Sequence, residues 1–445
     1  MRRFLFDAGW ILGLRIVNVP LQFLLFALVA RLYALEVVGV YAVFFAAWAL
    51  ARQLGPLGLD HASNRFIPLF LAAGRDGAAH RFEWQARLWV FALSGLATAC
   101  VALLVLLAQL VDLLRLDGMA LLSGAVAAPG FALVALLAAQ LRARGRPRAA
   151  QVPDALLVPT AAGAVLLICY QTFGPTLTGL LVSHAVAVWL AVGVYVFLAR
   201  HASRAAADQL QAEDRQAIRA MAMTVTVAGA ANALAMQLPV LLIGGSLGAA
   251  AAGLYEAARR FAQLGTLTTW AASTAVAPLL ADAHARCRQG QLQSLLAVSS
   301  WAAFLPALAI LVLLVVAGQP LLSLFGPGYA AAWPVMLLLA GFTAVNASGG
   351  LSSTALNMTG HADVVLRFSV MQLVVVVAAV PALGQLWGLE GAALAVLLGG
   401  LLRDGGLSML LPRYVELVPG VWSLRGTRLA WRALVHRRDG DAAAA

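Results

Sequence analysis

Residues 10–32 read WILGLRIVNVPLQFLLFALVARL. At about 1.5 Å per residue, a helix of this length covers the roughly 30 Å of a bilayer's hydrocarbon. Yet Arg15, Asn18 and Gln22 lie within it. At about 100° per residue they fall within roughly 60° of one another, a polar stripe on one face. A charge held in hydrocarbon costs about 3 kcal/mol or more and faces a cavity or a partner. The stretch therefore predicts one helix of a polytopic bundle with a polar interior, not a lone anchor.

Composition agrees. Of 445 residues, 62% are hydrophobic and 11% charged, with mean hydropathy +0.88, where a soluble domain carries about 25% charged residues. Formal charge is +11, and all 30 basic residues are arginine. That charge sits in short segments between apolar stretches, so it reads as membrane topology, and no nucleic-acid partner is expected. Cys100 and Cys169 fall in apolar stretches and Cys287 in a polar one, with neither metal-ligand spacing nor a disulfide framework. The apolar run after Met1-Arg2-Arg3 is too long for the core of a signal peptide and is read as a retained first helix.

Twelve spans are expected, near 10–32, 38–59, 87–111, 118–141, 152–172, 176–199, 221–247, 250–280, 294–317, 329–356, 365–386 and 390–412. Arginines cluster after the even-numbered spans, as in Arg142, Arg144, Arg146 and Arg148. The opposite segments QTFGPT (171–176), GGSLGAA (244–250), GQPLLSLFGPG (318–328) and WGLEG (387–391) have none. By the positive-inside rule both termini are cytoplasmic. The expected division is an N-lobe at 1–200, a cytoplasmic linker at 201–220, a C-lobe at 221–415 and a basic tail at 416–445. Leu424, Trp431, Leu434 and Val435 share one face of that tail beside Arg425, Arg428 and Arg432, which suits an interfacial helix on anionic lipid at the cytoplasmic face.

The chain also repeats itself at an offset of about 214 residues. Gly39-Val40-Tyr41 matches Gly253-Leu254-Tyr255, Asn18 matches Asn232, Arg144-Gly145 matches Thr359-Gly360, and Pro68 and Pro278 close corresponding segments. The order and near-constant spacing argue for six helices duplicated in parallel around a central cavity, the organisation of an alternating-access carrier.

Polar residues then mark candidate binding positions. Arg52 shares a helix face with Tyr41, Phe45 and Trp48, while Glu256, Arg259, Arg260 and Gln263 fall within roughly 100° on another helix. Neither Arg15 nor Arg52 has an acidic neighbour on its own helix. A cavity of that sign invites an anion, and arginine clamps phosphate through paired hydrogen bonds. The expected substrate-binding set is Arg15, Asn18, Gln22, Arg52, Arg259, Arg260 and Gln263, with Glu256 as a charge-compensating or coupling group. Trp48 and Tyr41 offer faces on which sugars could stack. Arg403 beside Asp404 reads as a structural pair. No catalytic or metal-binding constellation is found, and no glycine-rich nucleotide loop.

Several stretches carry a family resemblance. They are RLYALEVVGVYAVFFAAWALARQLGPLGLDHASNRF (31–66), GAAAAGLYEAARRFAQLGTLTTWAASTAVAPLLADAHA (248–285), FGPGYAAAWPVMLLLAGF (325–342), TALNMTGHADVVLRF (354–368) and GLEGAALAVLLGGLLR (388–403). With these the chain resembles the polysaccharide transporters, the O-antigen-type flippases, of the multidrug/oligosaccharidyl-lipid/polysaccharide exporter superfamily. The resemblance implies a bacterial inner-membrane protein that moves an undecaprenyl-pyrophosphate-linked oligosaccharide from the cytoplasmic to the periplasmic leaflet for surface-polysaccharide synthesis. It implies no cofactor, an energy source in H+, Na+ or the membrane potential, and a polysaccharide polymerase and chain-length regulator as partners. A lipid II flippase, a multidrug exporter of the same superfamily and a membrane glycan polymerase or ligase stand as alternatives. The enzyme reading is disfavoured by the short outside segments.

Overall fold

The computed structural model describes residues 2–110, 118–200, 210–349, 351–418 and 421. Among these the regular structure is entirely helical. The chain divides into two compact units, Met1–Gln237 and Leu238–Ala445. The division falls within one long helix, beyond the 201–220 segment expected as a linker. Residues 201–209, and all of the expected interfacial tail beyond Val418 except Val421, lie outside the described residues.

The first unit contains α1 (Arg2–Leu32), α2 (Leu35–Leu54), α3 (Leu59–Ala72), α4 (Asp76–Leu110), α5 (Gly118–Ala143), α6 (Pro147–Val152), α7 (Val158–Phe173) and α8 (Leu177–Ala199), with a π-helical turn, Pro153–Leu157, between α6 and α7. Helix α9 (Ala212–Ser246) crosses the division. The second unit continues with α10 (Ala249–Ala262), α11 (Leu264–Ala285), α12 (Gln289–Ser323), α13 (Trp333–Ser348), α14 (Ser352–Met358) and α15 (Ala362–Val415).

Among the described residues, ten helical stretches are long and apolar enough to cross a membrane. The expected twelve differ from these by two. Val17–Leu32 is a shorter apolar stretch of α1. The 54 residues of α15 hold both of the last two expected spans, broken at Trp387 (φ −128°) and Gly388 (φ 62°). Other boundaries shift as well. Helix α4 begins well before residue 87, and the expected span 38–59 ends early, because the chain turns between Leu54 and Leu59. Gly58 makes that turn with φ 71°, and its α-carbon backs onto α9. A Cβ there would lie 2.9 Å from the Ala222 Cα, so only glycine fits.

The duplication read from the sequence reappears in the element boundaries. Leu35 and Ala249 open corresponding helices, α4 and α12 correspond end to end, and α1 and α9 end at corresponding residues. Corresponding turns share backbone conformation: Gly145 (φ 73°) with Gly360 (φ 90°), and Gly174 (φ 75°) with Gly388 (φ 62°).

Helix α5 is the centre of the first unit and packs on α2, α3, α4 and α8. Its small residues allow the close approach: a Cβ on Gly130 would lie 2.9 Å from Val188 Cγ1, and Gly124 receives the ring of Phe44. The outer faces are apolar and open, with Leu88, Trp89, Phe91, Leu96 and Val101 of α4 all exposed. In water such a face would aggregate; in a bilayer it is solvated by lipid. The protein is a multi-pass membrane protein.

Candidate functional site

The site grows out of a break in the helix ladder. Within QVPDALLVP (151–159), two prolines remove backbone donors. The carbonyl of Ala155 would accept from residue 159 in an α-helix, and residue 159 is a proline. The chain widens into the π-helical turn, in which Val158 N–H donates to the Pro153 carbonyl. Side chains from other helices donate to carbonyls of this segment, and for Ala155 one of them replaces the donor that Pro159 lacks. Asn18 Nδ2 of α1 donates to the Ala155 carbonyl at 2.6 Å, and Tyr195 Oη of α8 donates to the Ala150 carbonyl at 2.7 Å. A buried carbonyl without such a partner costs about 1–3 kcal/mol.

The turn so held presents Asp154 to Arg52. The guanidinium engages the carboxylate through both oxygens, Nη1 donating to Oδ1, and Nη2 to Oδ2 at 2.5 Å. Two cavities meet at this pair. One, of about 540 Å³, is also lined by Asp60, His61, Gln151, Arg142 and Asn232. The other, of about 240 Å³, is also lined by Asn18, Gln22, Trp48, Phe131 and His184. Arg52 and Asp154 are the residues common to both. The Arg52 side chain keeps 38% of its surface accessible. Arg142, at the end of α5, makes no ion pair within 4 Å among the described residues.

The structure brings Asn18, Gln22 and Arg52 together at the smaller cavity. It alters two readings. Arg52 is not without a carboxylate, because Asp154 arrives from another helix. With Asp60 and Asp154 facing Arg52 and Arg142, the larger cavity is charge-balanced rather than uniformly cationic. Trp48 and Tyr41 are packing groups. Trp48 is buried, stacks on both Phe131 and His184, and donates to the Gly124 carbonyl, while the Tyr41 hydroxyl bonds His184 Nε2 at 3.1 Å. Both rings are buried, which leaves little surface for a sugar to stack on. Arg15 belongs to α1, but its side chain lies outside the described residues.

In the second unit, Glu256, Arg259 and Arg260 form one buried cluster on α10. Glu256 is 2.6 Å from Arg259 and 3.1 Å from Arg260. The carboxylate thus sits between the two arginines it was expected to balance. Gln263 is the joint between α10 and α11, its N–H on the Arg259 carbonyl. Arg403 Nη1 donates to Asp404 Oδ1 at 2.8 Å, the pairing read from their adjacency.

The sequence reading missed Asp154, Arg142, His184 and Glu83. For Asp154 the signal was present, since an acid between two prolines inside an apolar stretch is expensive and calls for a partner. Glu83 had none. It is buried, held by both guanidinium arms of Arg144 at 2.6 and 2.9 Å, and it joins α4 to α5.

Comparisons with known proteins agree with this architecture. Residues 4–284 match the family described as polysaccharide biosynthesis protein. No curated relative matches the chain. Among solved structures, an inward-facing multidrug resistance MATE family transporter of the MOP superfamily aligns with TM-score 0.75 at 14% identity, covering 89% of this chain and 94% of its own. An outward-facing multidrug resistance MATE family transporter aligns with TM-score 0.62 at 14% identity over 92% and 96%. A mutant Vibrio cholerae MATE transporter aligns with TM-score 0.61 at 16% identity over 93% and 96%. The fold is the one shared by those transporters.

Proposed function

The chain belongs to the polysaccharide biosynthesis protein family, and we propose on that footing that it is a flippase. Its cargo is an undecaprenyl-pyrophosphate-linked oligosaccharide, carried from the cytoplasmic to the periplasmic leaflet of a bacterial inner membrane by alternating access. Both termini lie in the cytoplasm, as the arginine distribution favours, and no covalent chemistry is performed. The driving force is the membrane potential or an H+ or Na+ gradient. The carrying observation is the polar cavity of the first unit, where Arg142 has no carboxylate within 4 Å among the described residues and Arg52 remains accessible beside it. Two guanidinium groups lining one cavity suit a pyrophosphate, which each binds through paired hydrogen bonds.

Asp60 and Asp154 in the same cavity support a second reading, export of an organic cation. Reconstitution of the full chain in vesicles separates the two. Flipping of polyprenyl-pyrophosphate-linked glycan, lost at least tenfold in Arg142→Ala at unchanged protein level, supports the flippase. Uptake of a lipophilic cation that persists in Arg142→Ala and fails in Asp60→Asn, without glycan flipping, overturns it.

A further inference from the structure

The empty protein poses a charge problem that the Arg52–Asp154 pair answers. An arginine that binds phosphate must return without it, and an unpaired guanidinium in a closing cavity is costly to desolvate. We infer that Asp154 is the internal counter-anion of the binding site: its carboxylate fills the guanidinium fork of Arg52 in the empty protein, and the cargo's phosphate takes that fork in the loaded one. The inference rests on the flippase reading and specifies how its site discriminates.

Three features carry it. The carboxylate engages both arms of the guanidinium, the same fork that a phosphate occupies. The pair stands where the two cavities meet, so a ligand in either reaches it without unpacking a helix. The backbone that presents Asp154 is held by Asn18 and Tyr195, so exchange needs only rotation of one side chain. Arg142 then supplies the asymmetry. A monoanion gains nothing over Asp154, which already fills the fork, whereas a pyrophosphate with about two charges gains Arg142 as well. The site thereby selects doubly charged phosphates over carboxylates and monoanions, and Asp154 is a specificity-determining residue.

The test uses the full chain in detergent, with inorganic pyrophosphate as probe and thermal unfolding as the control for folding. Asp154→Asn is expected to bind pyrophosphate about tenfold more tightly than the parent, since its competitor is gone. Arg52→Gln and the double variant Arg52→Gln/Asp154→Asn are expected to lose binding. In vesicles, Asp154→Asn is expected to slow repeated cycles more than a single turnover. A folded Asp154→Asn with unchanged or weaker affinity overturns the inference. A measurement on the unaltered protein does not depend on that variant folding: pyrophosphate is expected to raise carbodiimide labelling of Asp154, and labelling that stays level overturns the displacement. Tighter pyrophosphate binding without glycan flipping sustains Asp154 as competitor and defeats the flippase reading. Flipping without displacement does the reverse.

Discussion

Asn18 and Pro159 are related through a single oxygen: the Ala155 carbonyl, deprived of its α-helical donor by the proline, accepts the Asn18 amide at 2.6 Å. The polar stripe of the first helix therefore has a partner, and at this point the partner is backbone. Asn18→Ala is expected to lower stability by about 1–3 kcal/mol, the cost of an orphaned carbonyl. Pro159→Ala restores an N–H at the α-helical position and is expected to recover much of that loss in the Asn18→Ala background. Unfolding of both variants in detergent measures it; a Pro159→Ala change that adds its own full penalty refutes the account.

Arg52 and Asp154 should show strong coupling in a double-mutant cycle. Each single neutral substitution leaves one charge partly buried and unpaired, while Arg52→Gln/Asp154→Asn leaves none. A coupling energy of about 1–3 kcal/mol is expected from thermal or denaturant unfolding. Additive losses would mean that the two groups do not stabilise one another in the membrane protein.

Glu256 is 2% exposed at its side chain and touches both Arg259 and Arg260. Its removal leaves two buried guanidinium groups without their shared carboxylate, so Glu256→Gln is expected to destabilise the second unit by about 3–5 kcal/mol. Reduced yield and a lowered unfolding temperature are the readouts. A stable Glu256→Gln protein slowed only in repeated transport cycles would instead assign Glu256 to charge compensation during return.

The duplicated turns predict a matched pair of effects. Gly174 (φ 75°) and Gly388 (φ 62°) both adopt backbone conformations that residues with a Cβ rarely take, although open space surrounds each. Alanine at either is expected to cost about 1–3 kcal/mol through backbone strain alone. Gly193, inside α8 and also in open space, is the control: there alanine is expected to be neutral or to stabilise by up to about 1 kcal/mol. Equal effects at all three positions would remove the conformational explanation.

Voltage offers a test of the cargo's charge. A pyrophosphate diester carries about two negative charges, and at ~2.3 kcal/mol per charge per 100 mV its outward passage gains roughly 4 to 5 kcal/mol if both cross the field. Glycan flipping in vesicles is expected to accelerate when the side of origin is made negative. Indifference to voltage would place a compensating cation in the loaded step.

By itself, the sequence determined the class of protein, the positions of nearly all the spans and the duplication. These follow from local regularities: runs of apolar residues matched to bilayer thickness, a helical period that puts Arg15, Asn18 and Gln22 on one face, and turn glycines that recur at a fixed spacing. What Arg52 faces was not of that kind. Asp154 lies 102 residues away, on a turn whose shape depends on two prolines, an asparagine from α1 and a tyrosine from α8. Trp48 likewise carried the right residue type for a sugar platform, but helix packing covered it with Phe131 and His184. Periodicity reports which face a residue occupies. Only the packing of helices distant in sequence decides what stands opposite it, and that choice turned a bare cation into half of an ion pair.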